Sequence, residues 1–87
     1  MLTMPFFADV HPGGEVPIAV LVAWLDAARA RQLGPGGVRP VDYCLGAHGS
    51  IMCVAEAPDV AAVRQFHAAL GLPCHRVRRV APPSEPS

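Results

Sequence analysis

Four clusters of glycine and proline divide this chain into short segments, and they limit its fold more than any other feature. The clusters are His11-Pro-Gly-Gly14, Gly34-Pro-Gly-Gly37, Gly46-Ala-His-Gly49 and Gly71-Leu-Pro73. Because glycine and proline end regular elements and begin turns, each helix or strand should lie between two clusters or between a cluster and an end of the sequence. The segments that remain have room for one strand, one helix, or one strand followed by one helix.

Apolar segments bounded by these turns predict four β-strands. They comprise residues 4–10, 38–45, 50–55 and 74–80. The short glycine-containing loop between the second and third strands predicts a β-hairpin. In the first strand, the alternation of a β-strand places Phe7, Asp9 and His11 on one face.

Two further segments predict α-helices. Residues 17–33 contain no glycine and no proline after Pro17, which suits the first helical position. A second helix begins after Pro58, with Asp59 as its N-cap, and ends at Gly71. The first half of helix one is apolar nearly all round, whereas a surface helix has one apolar stripe. We therefore expect helix one to be covered on two sides.

The resulting order, βαββαβ, predicts an α+β fold of the ferredoxin-like class. Such a fold has a four-stranded antiparallel sheet of order 4-1-3-2, with both helices on one face. We expect residues 1–80 to form a single domain and residues 81–87, rich in proline and serine, to be a disordered tail. The uncovered sheet face predicts a homodimer in which two sheets pack face to face, a dimeric α+β barrel.

Composition argues against several classes of function. The formal net charge is zero and the seven basic residues are all arginines, clustered only at Arg76, Arg78 and Arg79, so we expect no nucleic-acid partner. The longest apolar stretch, residues 16–25, is about half the length needed to cross a bilayer, and we expect a cytoplasmic protein without a membrane partner. Three cysteines without a CxxC pair indicate free thiols.

The predicted topology brings all four histidines to one pole of the sheet. His11 ends the first strand, His48 lies at the hairpin tip, His67 in the last turns of helix two and His75 at the start of the last strand. Asp9 lies one pleat before His11 and adds a carboxylate. Imidazole and carboxylate groups together suit divalent nickel, copper or zinc. The pattern therefore predicts a metal site, with Asp9 and His11 as its central pair.

Other interpretations of these residues remain open. His67 shares an apolar helix face with Val60, Val63 and Leu70, which is also typical of a packed structural histidine. We expect His48 and His75 to be solvated. Topology places Glu56 at the opposite pole from His11, so it can join the site only through a dimer partner. Alternatively, Glu56 stabilises the positive N-terminus of helix two.

Three short motifs carry a resemblance to a known family. They are Asp9-Val-His11, Cys53-Val-Ala-Glu56-Ala-Pro58, and His67 followed by Gly71 and a short closing strand. Over residues 4–80 the chain resembles a family of small actinobacterial-type proteins, formerly catalogued as a domain of unknown function, of which one branch is described as nickel-binding. The resemblance implies a dimeric ferredoxin-like protein that holds Ni(II) through Asp9, His11, Glu56 and His67. Many members carry a histidine where this chain has Ala23.

Three functions are consistent with the sequence. The first is a metal-binding protein that senses or buffers nickel, with Zn²⁺ or no metal as alternatives. The second is a dimeric α+β-barrel enzyme like the cofactor-independent monooxygenases, with His67 as general base and Trp24 or Tyr43 lining a pocket. The third is an interaction module without chemistry. We expect the chain not to be a self-sufficient enzyme.

Overall fold

Four β-strands and two α-helices follow one another in the predicted βαββαβ order. The computed structural model describes residues 4–82. Its elements are β1 (Phe6–His11), α1 (Ile18–Arg29), β2 (Arg39–Leu45), β3 (Ile51–Glu56), α2 (Val60–Ala69) and β4 (Val77–Val80). The chain therefore has the ferredoxin-like α+β fold that the sequence predicts. Of the predicted tail, residues 83–87 lie outside the described residues.

The four strands form one antiparallel sheet in the order β2-β3-β1-β4, as predicted. The register pairs His11 with Ile51 at one end of β1 and Phe6 with Glu56 at the other. Because β2 is an edge strand, it accommodates Pro40, which cannot donate a backbone hydrogen bond. A register shift follows Pro40 in the pairing of β2 with β3.

Both helices cover the same face of the sheet and enclose the core with it. Trp24 of α1 and Phe66 of α2 meet edge to face, with ring centroids 5.8 Å apart. The indole Nε1 of Trp24 donates a hydrogen bond to the Asp42 carbonyl at 3.0 Å, so the buried ring has no unsatisfied polar atom. The sheet contributes the buried side chains Phe7, Ile51, Cys53 and Ala55.

The first helix is shorter than predicted at both ends. Pro17 is its N-cap, in an extended conformation, rather than its first helical residue, and α1 ends at Arg29 instead of Leu33. Arg31 adopts the left-handed conformation with φ 52°. The backbone N–H groups of Arg31 and Gln32 donate to carbonyls of the preceding turn, which closes the helix as a Schellman motif. An arginine in this role gives no sequence signal, since glycine is the usual residue there.

The second helix begins and ends as its capping residues predict. The Asp59 carboxylate accepts a hydrogen bond from the Ala62 backbone N–H at 2.8 Å, which confirms its role as N-cap. Gly71 follows the helix with φ 71°, and the N–H of Leu72 donates to the His67 carbonyl at 2.9 Å. These contacts place His67 in the last turn of α2, above the sheet. Strand β4 begins at Val77, three residues later than predicted, so His75 lies in the preceding loop.

Candidate metal centre

Strand β1 and helix α2 together bury three ionisable side chains. The alternation of β1 places Phe7, Asp9 and His11 on one face, as predicted, and this is the face that the helices cover. Asp9 and His11 are only 2% and 0% exposed. His67 reaches the same place from α2 and is 1% exposed. Charged and polar groups are rarely buried so completely unless they are paired or bind a metal.

The three side chains converge on one point. Asp9 Oδ2 lies 2.7 Å from His11 Nε2 and 2.9 Å from His67 Nε2. One potential ligand atom from each residue lies within 4.8 Å of the other two. The two imidazole rings are stacked, with centroids 5.3 Å apart and an interplanar angle of 21°. The group therefore has the composition and spacing to hold a metal ion.

The directions of these contacts do not fit ordinary hydrogen bonds. Although the distances are short, Asp9 Oδ2, His11 Nε2 and His67 Nε2 have no hydrogen-bond partner of acceptable geometry. A buried polar atom without a partner costs about 1–3 kcal/mol, so three of them in one place require an explanation. A cation between them would satisfy all three at once.

The hydrogen bonds of the two Nδ1 atoms determine whether the Nε2 atoms, which face Asp9, can bind a metal. His67 Nδ1 donates to the Val63 carbonyl at 2.9 Å. His11 Nδ1 donates to Glu15 Oε1 at 2.8 Å. In a neutral imidazole only one nitrogen carries hydrogen, so both Nε2 atoms present lone pairs toward Asp9. Metal-binding histidines usually have this arrangement, in which the second nitrogen donates to a carbonyl or carboxylate.

The environment of His67 favours a positive charge at this point. Burial alone lowers the pKa of His67, but the adjoining Asp9 carboxylate, through its contact and its charge, and the Val63 carbonyl together raise the pKa above its usual value. When His67 is protonated, its second hydrogen is on Nε2, the atom that lies 2.9 Å from Asp9 Oδ2. A metal ion would compete with that proton.

The other predicted ligands lie outside this group. His75 is exposed, as predicted, and its Nε2 also contacts both Glu15 carboxylate oxygens at 2.8 and 2.9 Å. His48 is exposed at the hairpin tip, as predicted. Glu56 pairs with Phe6 and Arg39, about 16 Å from His11 along the strand, so Glu56 as a ligand remains a prediction that requires a second copy of the chain.

Glu15 contacts His11 and His75, and this contact was not predicted from the sequence. It follows the Pro12-Gly-Gly turn, and its carboxylate lies between the rings of His11 and His75. The hydrogen bond from His75, followed by that from His11, lowers the pKa of Glu15. The available signal was the spacing of four residues between His11 and Glu15 across a tight turn.

The cysteines near the site lie outside the converging group. Cys53 lies opposite Asp9 in the sheet, but its sulfur is not among the converging atoms. Burial, and then the charge of Asp9, raise the pKa of Cys53 to about 12. Burial and Asp9 also raise the pKa of Cys74. Without a metal both groups are therefore thiols at neutral pH, and the three converging donor atoms are nitrogen and oxygen.

The residues of the alternative enzyme hypothesis are only partly brought together. Trp24 lines an apolar cleft of about 190 Å³ between the helices and the start of β2, together with Ala23, Phe66 and Leu70. Neither His67, the candidate base, nor Tyr43 lines this cleft. The cleft and the buried histidines are therefore separate features.

Comparison with known proteins supports the fold. No protein-family model matches this chain, and no curated protein matches it either. The chain is similar to SCO4226 from Streptomyces coelicolor A3(2), whose crystal structure is known, with 25% sequence identity and a TM-score of 0.66. The match covers 91% of this chain and 99% of that one. Among residues 4–82, neither helix has the length and hydrophobicity that crossing a membrane requires. The chain thus shares its fold with a bacterial protein.

Proposed function

We propose that this protein binds a divalent transition metal, with nickel as its ion, and that it senses or buffers that metal. The observation that carries the proposal is the convergence of three buried donor atoms without hydrogen-bond geometry, on Asp9, His11 and His67. Two neutral imidazoles and one carboxylate form a donor set for late first-row metals. Asp9 would offset part of the charge of the ion, which lowers the cost of burying it.

Two observations favour nickel over zinc. The site lacks the thiolates that are common in structural zinc sites, since its converging donors come from Asp9, His11 and His67. The motifs around Asp9, His11 and His67 resemble those of the nickel-binding family.

Burial favours storage or sensing over catalysis. Two histidines and one carboxylate also occur in iron oxygenases, where open coordination positions face a substrate. Here the three ligand residues are at most 2% exposed, so a substrate could not approach the metal without movement of the surrounding chain. Sensing and buffering require only that the ion enter and leave.

The proposal predicts a large thermal shift. Nickel at 100 times its Kd should stabilise the chelator-treated protein by about 2.7 kcal/mol, because it binds only the native state. For a domain of this size, that raises the Tm by at least about 10 °C. Melting curves with and without Ni(II) or Zn(II) measure the effect. We expect the larger shift with Ni(II).

Variants separate a specific site from general metal binding. His11→Ala and His67→Ala should each remove the metal-dependent shift, whatever they do to the Tm of the metal-free protein. His48→Ala should retain it, because this exposed histidine does not contact the group. A shift that survives in both buried variants, or no shift in the wild type, would be incompatible with the proposal. A larger shift with Zn(II) would reassign the metal.

We also propose that two copies pair through the open face of the sheet. This face carries Val10, which is 48% exposed, beside Met52 and the small residue Ala8. Together with His75, Arg76 and Arg78 these residues line a depression of about 370 Å³. Arginine and histidine side chains therefore border the apolar side chains of this face, as polar residues often do around interaction sites. Pairing would cover Val10 and Met52.

Size-exclusion chromatography with light scattering, which gives the mass of the protein in solution, tests the pairing. The wild type should have twice the monomer mass, and Val10→Asp should reduce the mass to that of one chain by placing a charge in the interface. Ile18→Asp is the matched control, since Ile18 is an exposed apolar residue on α1 away from this face. A monomeric wild type, or a Val10→Asp dimer, would exclude this interface.

We further propose that the protein acts in the cytoplasm. Its three cysteines, Cys44, Cys53 and Cys74, are all free thiols, which is usual in a reducing compartment. Fractionation of the cells that produce the protein, followed by immunodetection, tests this location. Recovery from the extracellular fraction would contradict it.

A further inference from the structure

Glu15 occupies a particular place relative to the proposed ligands. It lies in the loop between β1 and α1, where its backbone N–H donates to the Pro12 carbonyl at 3.2 Å. Its Oε1 atom accepts from His11 Nδ1 at 2.8 Å. The side chain does not contact Asp9 or His67, so Glu15 is an outer partner of the site rather than a ligand.

The contact with Glu15 determines which nitrogen of His11 carries hydrogen. Asp9 and Glu15 both offer His11 a carboxylate, which can only accept, but only the contact with Glu15 has hydrogen-bond geometry. Glu15 therefore holds the hydrogen of the neutral ring on Nδ1. Nε2 is then a lone pair, and it lies 2.7 Å from Asp9 Oδ2. If the hydrogen moved to Nε2, His11 could not bind a metal there.

In their neutral forms His11 and His67 have the same Nδ1–H tautomer, but different groups hold it. His67 is held by the Val63 carbonyl, one turn earlier in α2, and this partner is part of the helix backbone. His11 ends a strand and has no such carbonyl, so it relies on a side chain. Glu15 is itself held by His75, whose Nε2 contacts both carboxylate oxygens. The chain of contacts therefore runs from exposed His75 through Glu15 to buried His11.

We propose that Glu15 is a positioning residue of the metal centre, which fixes His11 as the Nδ1–H tautomer, and that His75 supports it. The part of this inference that concerns affinity rests on the proposed function. The tautomer itself does not, because it is a property of the metal-free protein.

Two measurements on four variants test the inference. Long-range ¹H–¹⁵N spectra of the metal-free protein show which nitrogen of His11 carries hydrogen, and competition with a chromophoric chelator gives the Kd for Ni(II). Glu15→Ala should release the tautomer, and the Kd should rise about 10- to 100-fold, as for other outer partners of metal-binding histidines. Glu15→Gln should retain both, because its amide oxygen can still accept from Nδ1.

Two further variants test His75 and provide a control. His75→Ala should raise the Kd for Ni(II) less than Glu15→Ala does. Asp26→Ala, which removes an exposed carboxylate on α1, should change neither the tautomer nor the Kd. An unchanged His11 tautomer in Glu15→Ala would overturn the inference, as would a glutamine variant that fails like the alanine variant. Wild-type protein that binds no nickel would refute the proposed function, and the spectra alone would then decide the role of Glu15.

Discussion

The Asp9→Asn variant is expected to lose nickel binding while keeping the stability of the metal-free protein. The substitution removes the only negative charge among the three converging donors, so the affinity should fall by more than about 100-fold, the upper end of the loss for outer partners. The amide nitrogen that it introduces can donate one hydrogen to each Nε2 atom, which in the Nδ1–H tautomers can only accept. Above the raised pKa of His67, where both rings are neutral, the metal-free variant should therefore melt at or above the wild-type temperature.

Asp26→Asn is the matched control, because it makes the same chemical change at an exposed position of α1. It should bind nickel as the wild type does. Chelator competition gives the affinities, and melting curves give the stabilities. A nickel Kd within tenfold of wild type for Asp9→Asn would show that the carboxylate is not a ligand.

The metal-free and nickel-bound proteins are expected to respond to pH in opposite directions. Because the folded-state pKa of His67 lies above its unfolded value of about 6.5, the stability that protonated His67 contributes is fully present below that pH. It is lost as the pH rises through the folded-state pKa. The metal-free protein should therefore lose this contribution between about pH 6 and the raised pKa.

Nickel binding should instead become stronger over the same range. The ion needs the Nε2 lone pair of His67, so below the raised pKa it must displace a proton, and its Kd should fall by up to about tenfold per pH unit. Above the pKa this dependence should level off. Melting curves with and without Ni(II) at pH 6, 7 and 8 measure both effects. A nickel-dependent shift that is constant over this range would contradict competition with a proton at His67.

Local patterns were sufficient to predict the fold. Alternation in the first strand correctly placed Phe7, Asp9 and His11 on one face, because side chains of a strand alternate strictly. Asp59 correctly marked the start of α2, since its carboxylate satisfies a free backbone N–H at the helix N-terminus. The predicted end of α1 was wrong because Arg31 takes the left-handed conformation that is usual for glycine. Tertiary packing rather than intrinsic propensity must hold Arg31 in this conformation.

The site was predicted only as far as topology determines it. Topology correctly brought Asp9, His11 and His67 to one end of the sheet, where side chains then had to meet within a few ångströms. It did not predict the contact of exposed His75 with Glu15, because this contact depends on the path of the loop that precedes β4. The role of Glu15 was not predicted for the same reason, because its orientation depends on the turn that precedes it and on its contacts with His11 and His75.

The most direct test of metal binding at Asp9, His11 and His67 is anomalous diffraction from crystals grown with Ni(II), with data collected above and below the nickel absorption edge. We predict a single strong peak per chain, about 2.0–2.2 Å from Asp9 Oδ2, His11 Nε2 and His67 Nε2. A nickel peak at surface groups such as His48 or Cys44, with none between these three atoms, would contradict it.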